Sequence, residues 1–338
     1  MRLSMNSKKK GSRTAAVFLA VLPLLLFFPA ALPARGEESS AFTQTQNTAA
    51  FKKINSSYGI LVNADTGEIL AQQDATARMY PASMTKVMTV LVAAEKVSNL
   101  SDTVEITQDI LETVSTDNDS AVGFQAGEIV TVADCLYGTA LQSGADAAIA
   151  LSRYVAGSDA AFLEQMNQRA QALGCKDTHF ANAVGSYDEN QYTTVEDMAL
   201  IMRAALQNAL ARKVLSTRQY TTVKTTVHPD GITVSNRFLK RMETQNVPGI
   251  VFSAKTGYIA AAGFCAVSAM TGADGTHYIC CTAKAPDTWA CIYDHAAIYR
   301  VYAGGEEETP EDAAAEESTA ASTGAETSNV EDVPKTND

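Results

Sequence analysis

Between Met79 and Ala94 the chain carries a single charged residue, Lys86. The run Tyr80-Pro81-Ala82-Ser83-Met84-Thr85-Lys86-Val87-Met88-Thr89-Val90-Leu91-Val92-Ala93-Ala94 reads as a helix that begins near Ser83 and is apolar on nearly every face. A helix that is hydrophobic all round is enclosed by the rest of its domain, so Lys86 is expected inside the protein. Ser83 precedes it by three positions, which sets both side chains on one helix face a turn apart. A buried amine beside a hydroxyl has the makings of a base and its nucleophile. Enclosing such a helix takes a sizeable core, and about 260 residues lie between two atypical ends, enough for one large domain or two lobes sharing a core.

The first end reads as a secretory signal peptide over residues 1–36. It has six bases (Arg2, Lys8, Lys9, Lys10, Arg13 and Arg35), no acid, an apolar stretch from Ala15 to Phe28, and Ala34-Arg35-Gly36 as a cleavage site. The stretch is short for a membrane span and contains Pro23, which disfavours an uncleaved anchor. Export to the cell envelope or beyond is expected, with membrane association only through an uncleaved signal segment. The other end, residues 305–338, holds eleven acids and one base, Lys335, among Ala, Ser, Thr and Pro. Such a segment buries too little apolar surface to offset its ordering entropy and reads as a disordered acidic tail. With a net charge of −12 and no basic patch, nucleic-acid binding is not expected.

Residues 37–56 read as a linker and 57–304 as the folded domain. Two apolar runs around Asn63-Ala64-Asp65-Thr66-Gly67 make a β-hairpin. The buried helix follows, then a largely irregular stretch over 101–132 with one strand-like segment at Thr103–Ile106. Helices are expected over 132–142 and 145–156, interrupted at Gln142-Ser143-Gly144. Another follows Ser158, and Thr193-Thr194-Val195-Glu196 opens one more with a capping-box signature. Strands are read at 219–227, 232–235, 250–255, 263–269 and 276–283, and a last helix at 288–303. A hairpin, a helical middle and then consecutive strands give an α+β fold: an antiparallel sheet joining both ends of the domain, flanked by helices, with a helical lobe inserted. The six cysteines (Cys135, Cys175, Cys265, Cys280, Cys281 and Cys291) are too few for a disulfide framework and lack zinc spacing. One bridge, from Cys265 to Cys280 or Cys281 across a hairpin, is open. The four histidines are scattered without a metal-binding spacing, and no cofactor is expected.

Ser-x-x-Lys is a weak signal alone, since Ser7-Lys8-Lys9-Lys10 repeats it in the signal peptide. Its weight comes from company. Lys255-Thr256-Gly257 occurs once, at the end of an expected strand, and Ser143 lies between the two in sequence order. Those three elements together mark penicillin-binding enzymes. The chain resembles the serine D-alanyl-D-alanine carboxypeptidases, the low-molecular-mass penicillin-binding proteins, from about Ser57 to Ala303. The likeness extends to Ser143-Gly144-Ala145-Asp146-Ala147-Ala148, His179-Phe180-Ala181-Asn182, Asp188-Glu189-Asn190, Tyr192-Thr193-Thr194, Asn236-Arg237 and Ala262-Gly263-Phe264.

This resemblance implies a DD-peptidase/β-lactamase-like fold and assigns roles. Ser83 would be acylated, and Lys86, neutral, would take its proton. Ser143 would relay that proton to the leaving D-alanine. Lys255 and Thr256 would grip the substrate's terminal carboxylate, and burial together with the charge of Lys255 would keep Lys86 neutral. Gly257 completes the motif, and the N–H groups of Ser83 and Tyr258 would form the oxyanion hole. The implied substrate is the peptidoglycan stem pentapeptide, with β-lactams as covalent inhibitors. Two departures stand out: the family's middle motif is usually Ser-x-Asn where this chain has Ala145, and Ile259 replaces a frequent Thr. No counterpart of the family's C-terminal β-domain, with its membrane anchor, is expected, and members lacking that domain include enzymes that cut cross-links. A DD-endopeptidase and, because of Ala145, a catalytically impaired wall-binding or sensor module are therefore the alternatives. A class A β-lactamase is disfavoured for want of an E-x-x-L-N-like stretch.

Overall fold

The computed structural model describes residues 41–51, 53–114 and 119–303. The signal peptide and the acidic tail expected from the sequence lie outside these residues. The strands and helices, in chain order, are β1 (Thr43–Ala50), β2 (Tyr58–Asn63), β3 (Glu68–Gln73), α1 (Lys86–Lys96), β4 (Thr103–Ile106), α2 (Gln108–Thr113), β5 (Glu128–Thr131), α3 (Val132–Tyr137), α4 (Ala145–Ala156), α5 (Asp159–Ala172), α6 (Val195–Gln207), α7 (Ala209–Leu215), β6 (Gln219–Thr221), β7 (Thr233–Ser235), α8 (Arg237–Met242), β8 (Gly249–Ile259), β9 (Gly263–Gly272), β10 (His277–Ala285) and α9 (Thr288–Ala303).

The main sheet has the order β1-β3-β2-β10-β9-β8. Its middle joint is the antiparallel pair β2–β10, with Ile60 opposite Cys281 and Leu61 opposite Cys280. Strands buried on both faces lose the alternation of a surface strand and read as apolar runs, and this joint is the example. Ile60, Val62, Ile279 and Cys281 face a core shared with α1, α4 and α6, while Leu61, Cys280 and Tyr278 face one shared with α8 and α9. The α+β architecture expected from the sequence is thus present: the sheet joins both ends of the domain, and the helices between Lys86 and Leu215 form the inserted lobe.

Several local expectations are corrected. Residues 43–50, read as linker, form β1, which pairs in parallel with β3; its Thr and Gln composition hides it, because an edge strand needs no apolar face. The stretch read as irregular contains α2 and β5, the latter paired with β4. The helix expected to run to 142 ends at Tyr137 and continues as a π-helical turn over Gly138–Gln142. The strand read as reaching 227 stops at Thr221, and β8 runs past 255 to Ile259. No disulfide joins the cysteines: all six are free thiols. In the β9–β10 register Cys280 lies opposite Ser268 and Cys281 opposite Val267, while Cys265 lies opposite Gly257 of β8.

Candidate active site

The buried helix begins as a single 3-10 turn, Ala82–Thr85, before α1 takes over at Lys86. Ala82 holds a positive φ of 45°, a left-handed conformation that a non-glycine residue keeps only where its surroundings enforce it. The next residue is Ser83. Lys86 is fully enclosed, with 0% exposure, as the apolar helix required. Its Nζ donates to Ser83 Oγ at 3.0 Å and to the carbonyl of Val184 at 2.5 Å. Burial strips the ammonium of water and pulls the Lys86 pKa down to about 8, against the opposing pull of the Asp119 and Asp146 carboxylates.

Segment 182–186 supplies that carbonyl. The Asn182 side chain accepts from the N–H groups of Val184, Gly185 and Ser186, an Asx-type turn made by the side chain itself. The turn presses Gly185, at φ +93°, so close to the nucleophile's turn that an added Cβ would lie 1.9 Å from the Ala82 oxygen. Glycine is required there.

On the opposite wall β8 is the edge strand of the sheet, so one side of it is free to face the cleft. A Cβ at Gly257 would meet Ala82 Cβ at 3.0 Å and the Pro81 oxygen at 3.0 Å, so the glycine of Lys-Thr-Gly lets the strand lie against the turn that carries Ser83. Lys255 is 3% exposed. It donates to Ser143 Oγ at 2.9 Å and to the carbonyl of Thr256 at 2.7 Å. Its pKa is pushed well below the ordinary lysine range, first by burial and then by the charge of Lys86. Of the two causes expected to keep Lys86 neutral, burial is the larger. Burial lowers both amines; the charge of Lys86 comes second on Lys255, whereas on Lys86 the carboxylates of Asp119 and Asp146 oppose the burial.

Ser143 follows the π-helical turn in a left-handed conformation, φ 63°. Ser83, Ser143, Thr256, Gly257 and Tyr258 line one cavity of about 290 Å³, and Lys255 lines an adjoining one with Ser143 and Thr256. Six of the seven residues singled out in the sequence line these adjoining cavities, and the seventh, Lys86, lies behind them against Ser83 Oγ. Tyr258 stands 52% exposed at its mouth, tilted over Phe264 with ring centroids 4.3 Å apart. Ala145 is fully buried at the head of α4 and offers the cleft no polar atom.

Residues without an assigned role in the sequence also enter. Arg237, at the start of α8, lines both cavities, and its side chain makes no hydrogen bond or ion pair with any described residue. Ser120 lines them as well. The signal for Arg237 was present in Asn236-Arg237, where Asn236 caps α8 through Leu239 N and donates to the Ala254 carbonyl of β8, fixing the arginine beside the strand.

Comparison with known families matches residues 43–285 to D-alanyl-D-alanine carboxypeptidase. The chain belongs to this family. Among relatives of the D-alanyl-D-alanine carboxypeptidase family, DacF of Bacillus subtilis is 30% identical over 258 residues, covering 75% of this chain and 61% of DacF. DacC of Escherichia coli is 32% identical over 241 residues, covering 70% of this chain and 58% of DacC. The chain therefore spans about three fifths of the length of these relatives. A point mutant of the Streptomyces K15 DD-transpeptidase superposes with a TM-score of 0.67 at 30% identity, covering 73% of this chain and 97% of that one. Penicillin binding protein 5 of Haemophilus influenzae gives 0.66 at 27% identity, covering 73% and 70%.

Proposed function

We propose that this chain is a penicillin-sensitive serine DD-peptidase that removes the terminal D-alanine from peptidoglycan stem pentapeptides through an acyl-enzyme on Ser83. The observation that carries this reading is the pair itself: a fully buried Lys86, its pKa near 8, 3.0 Å from the Ser83 hydroxyl. At neutral pH about one tenth of such an amine is unprotonated, against fewer than one in a thousand for a solvated lysine. Lys86 takes the Ser83 proton as Oγ attacks the scissile carbonyl. The N–H groups of Ser83 and Tyr258 stabilise the oxyanion, each worth about 3 kcal/mol of barrier. Ser143, tied to Lys255, returns a proton to the leaving amine. Water then releases the acyl group.

The substrate's terminal carboxylate needs a cationic partner in the cleft. Lys255 and Thr256 are on β8, and Arg237 beside them, with no side-chain partner among the described residues, is the guanidinium best suited to a planar anion. A β-lactam presents the same reactive carbonyl and carboxylate and would acylate the same serine. The cell envelope is the corresponding location.

A fluorescent penicillin incubated with the wild type and with Ser83→Ala tests this. A covalent band on the wild type that is lost in the variant is the expected result. No band on the wild type, or an equal band on both, refutes it and favours a wall-binding module. Among labelled outcomes, cleavage of a cross-linked dimer in preference to a pentapeptide assigns endopeptidase action instead.

A further inference from the structure

The segment that follows β4 and α2 returns to the cleft at Asp119 and Ser120. It is tied down along its length by the head of α4. The Asp146 carboxylate accepts from the N–H groups of Val122 (2.9 Å), Gly123 (3.0 Å) and Phe124 (3.2 Å), and Ala145 N–H donates to the Ser120 carbonyl at 2.8 Å. A Cβ at Gly144 would fall 2.5 Å from Val122 Cγ2, so segment and helix head are in close contact. Ser120 therefore lines the cleft beside Ser83 and Ser143.

Asp119 reaches from this segment to the other side. Both of its carboxylate oxygens accept from Ser186 Oγ, at 2.8 and 2.9 Å. Ser186 belongs to the Asn182 turn, which lends the Val184 carbonyl to Lys86 and lays Gly185 against Ala82. We propose that Asp119 is a positioning residue for the base: its carboxylate clamps the Val184–Ser186 turn to the segment held by α4, and it is the fixed anion for the ammonium that Lys86 becomes when Ser83 is deprotonated.

The chemistry needs such a group. When the proton moves from Ser83 Oγ to Lys86 Nζ, a positive charge appears in a site closed to water, with Lys255 as a like-charged neighbour. The charged groups acting on Lys86 are Asp119 from this segment, Asp146 from α4 and Lys255 from β8. Asp146 already serves four backbone N–H groups, those of Val122, Gly123, Phe124 and Ala147, which disperse its charge. Asp119 is the carboxylate tied to the turn that touches the amine. One O–H bond breaks at Ser83, one N–H bond forms at Lys86, and Asp119 takes no part in the transfer.

This rests on the reading of Lys86 as base, and the experiment separates the two. The full chain carrying ¹³Cε-lysine is titrated by NMR, with the Lys86 signal identified by its absence from Lys86→Met, and penicillin-labelling rates are recorded against pH. In Asp119→Asn the Lys86 midpoint is expected to fall by about one pH unit, the acidic limb of the labelling rate to move down with it, and the plateau rate to drop. Asp119→Glu, which keeps the charge, should stay within about half a unit of wild type. Should the Asn variant not fold, Asp119→Ser carries the same expectation. A midpoint unmoved or raised in the neutral variant overturns the proposal whatever the labelling does. A midpoint that falls while the wild type takes no label supports Asp119's hold on the amine and defeats the peptidase reading alone.

Discussion

Replacing Lys86 by Met should leave the protein more stable than the wild type near neutral pH, and the pH dependence of that difference is the decisive part. A solvated lysine titrates at 10.5, and Lys86 at about 8 because burial penalises its charged form. The folded state therefore binds fewer protons than the unfolded chain, and stability rises with pH through that window. At pH 7 the unfavourable contribution is about 3.3 kcal/mol, and at pH 10 about 0.8 kcal/mol. Met is of similar length, cannot be protonated and adds buried apolar surface. Against this, the Val184 carbonyl loses its donor, at about 1–3 kcal/mol independent of pH. Relief of the repulsion on Lys255 acts in the same direction as the removed charge. Urea unfolding followed by circular dichroism, at pH 7 and pH 10, isolates the titrating part. The stability of Lys86→Met relative to wild type should decline by about 2.5 kcal/mol between the two. A relative stability that stays flat, or that rises with pH, would refute the idea of an amine held out of its ordinary range by burial. Labelling by penicillin should be lost in the same variant.

Arg237→Ala should raise the apparent KM for a carboxylate-bearing substrate more than it lowers kcat, by a factor of about 10–100 for the loss of one charge-assisted contact; an unchanged KM places the anion elsewhere. Gly185→Ala puts a Cβ at 1.9 Å from the Ala82 oxygen at a φ of +93°, so both stability and labelling should fall, by more than about 2 kcal/mol for stability; a wild-type melting temperature contradicts this. Burial pushes every one of the six thiols up, Cys291 to about 12. A thiol reagent at pH 8 should therefore be ignored by the folded protein and count six groups after unfolding under non-reducing conditions.

The parts of this site that were legible from residues alone are those where one element decides the outcome. An apolar helix with one lysine must bury that lysine. A Lys-Thr-Gly at the end of a β-rich run must lie on a strand, and a glycine inside it points to a close approach. What was not legible depends on partners distant in sequence. β1 has no apolar pattern because it needs only its hydrogen bonds to β3. The segment carrying Asp119 and Ser120 is polar and unpatterned, and its place is set by the Asp146 carboxylate of α4. Sequence reading treated Asp146 as part of its helix, although a helix-start aspartate can equally collect N–H groups from a neighbouring segment. The electrostatics were legible only in part, for a related reason. Lys255 is the obvious cation to name beside Lys86, yet the extent to which a side chain is cut off from water is a property of the assembled core.

The central joint of the sheet pairs β2 with β10, some 220 residues later, and the wall facing Ser83 comes from β8 near the end of the domain. During synthesis the nucleophile's helix therefore exists long before anything can close over it. Until β8 docks at the edge of the sheet, the cleft lacks the wall that carries Lys255, Thr256 and Tyr258. The unfinished chain would be chemically silent. Activity would arrive in one step with the closing of the sheet, which makes acylation competence a late marker of complete folding, slow by virtue of its long-range pairings.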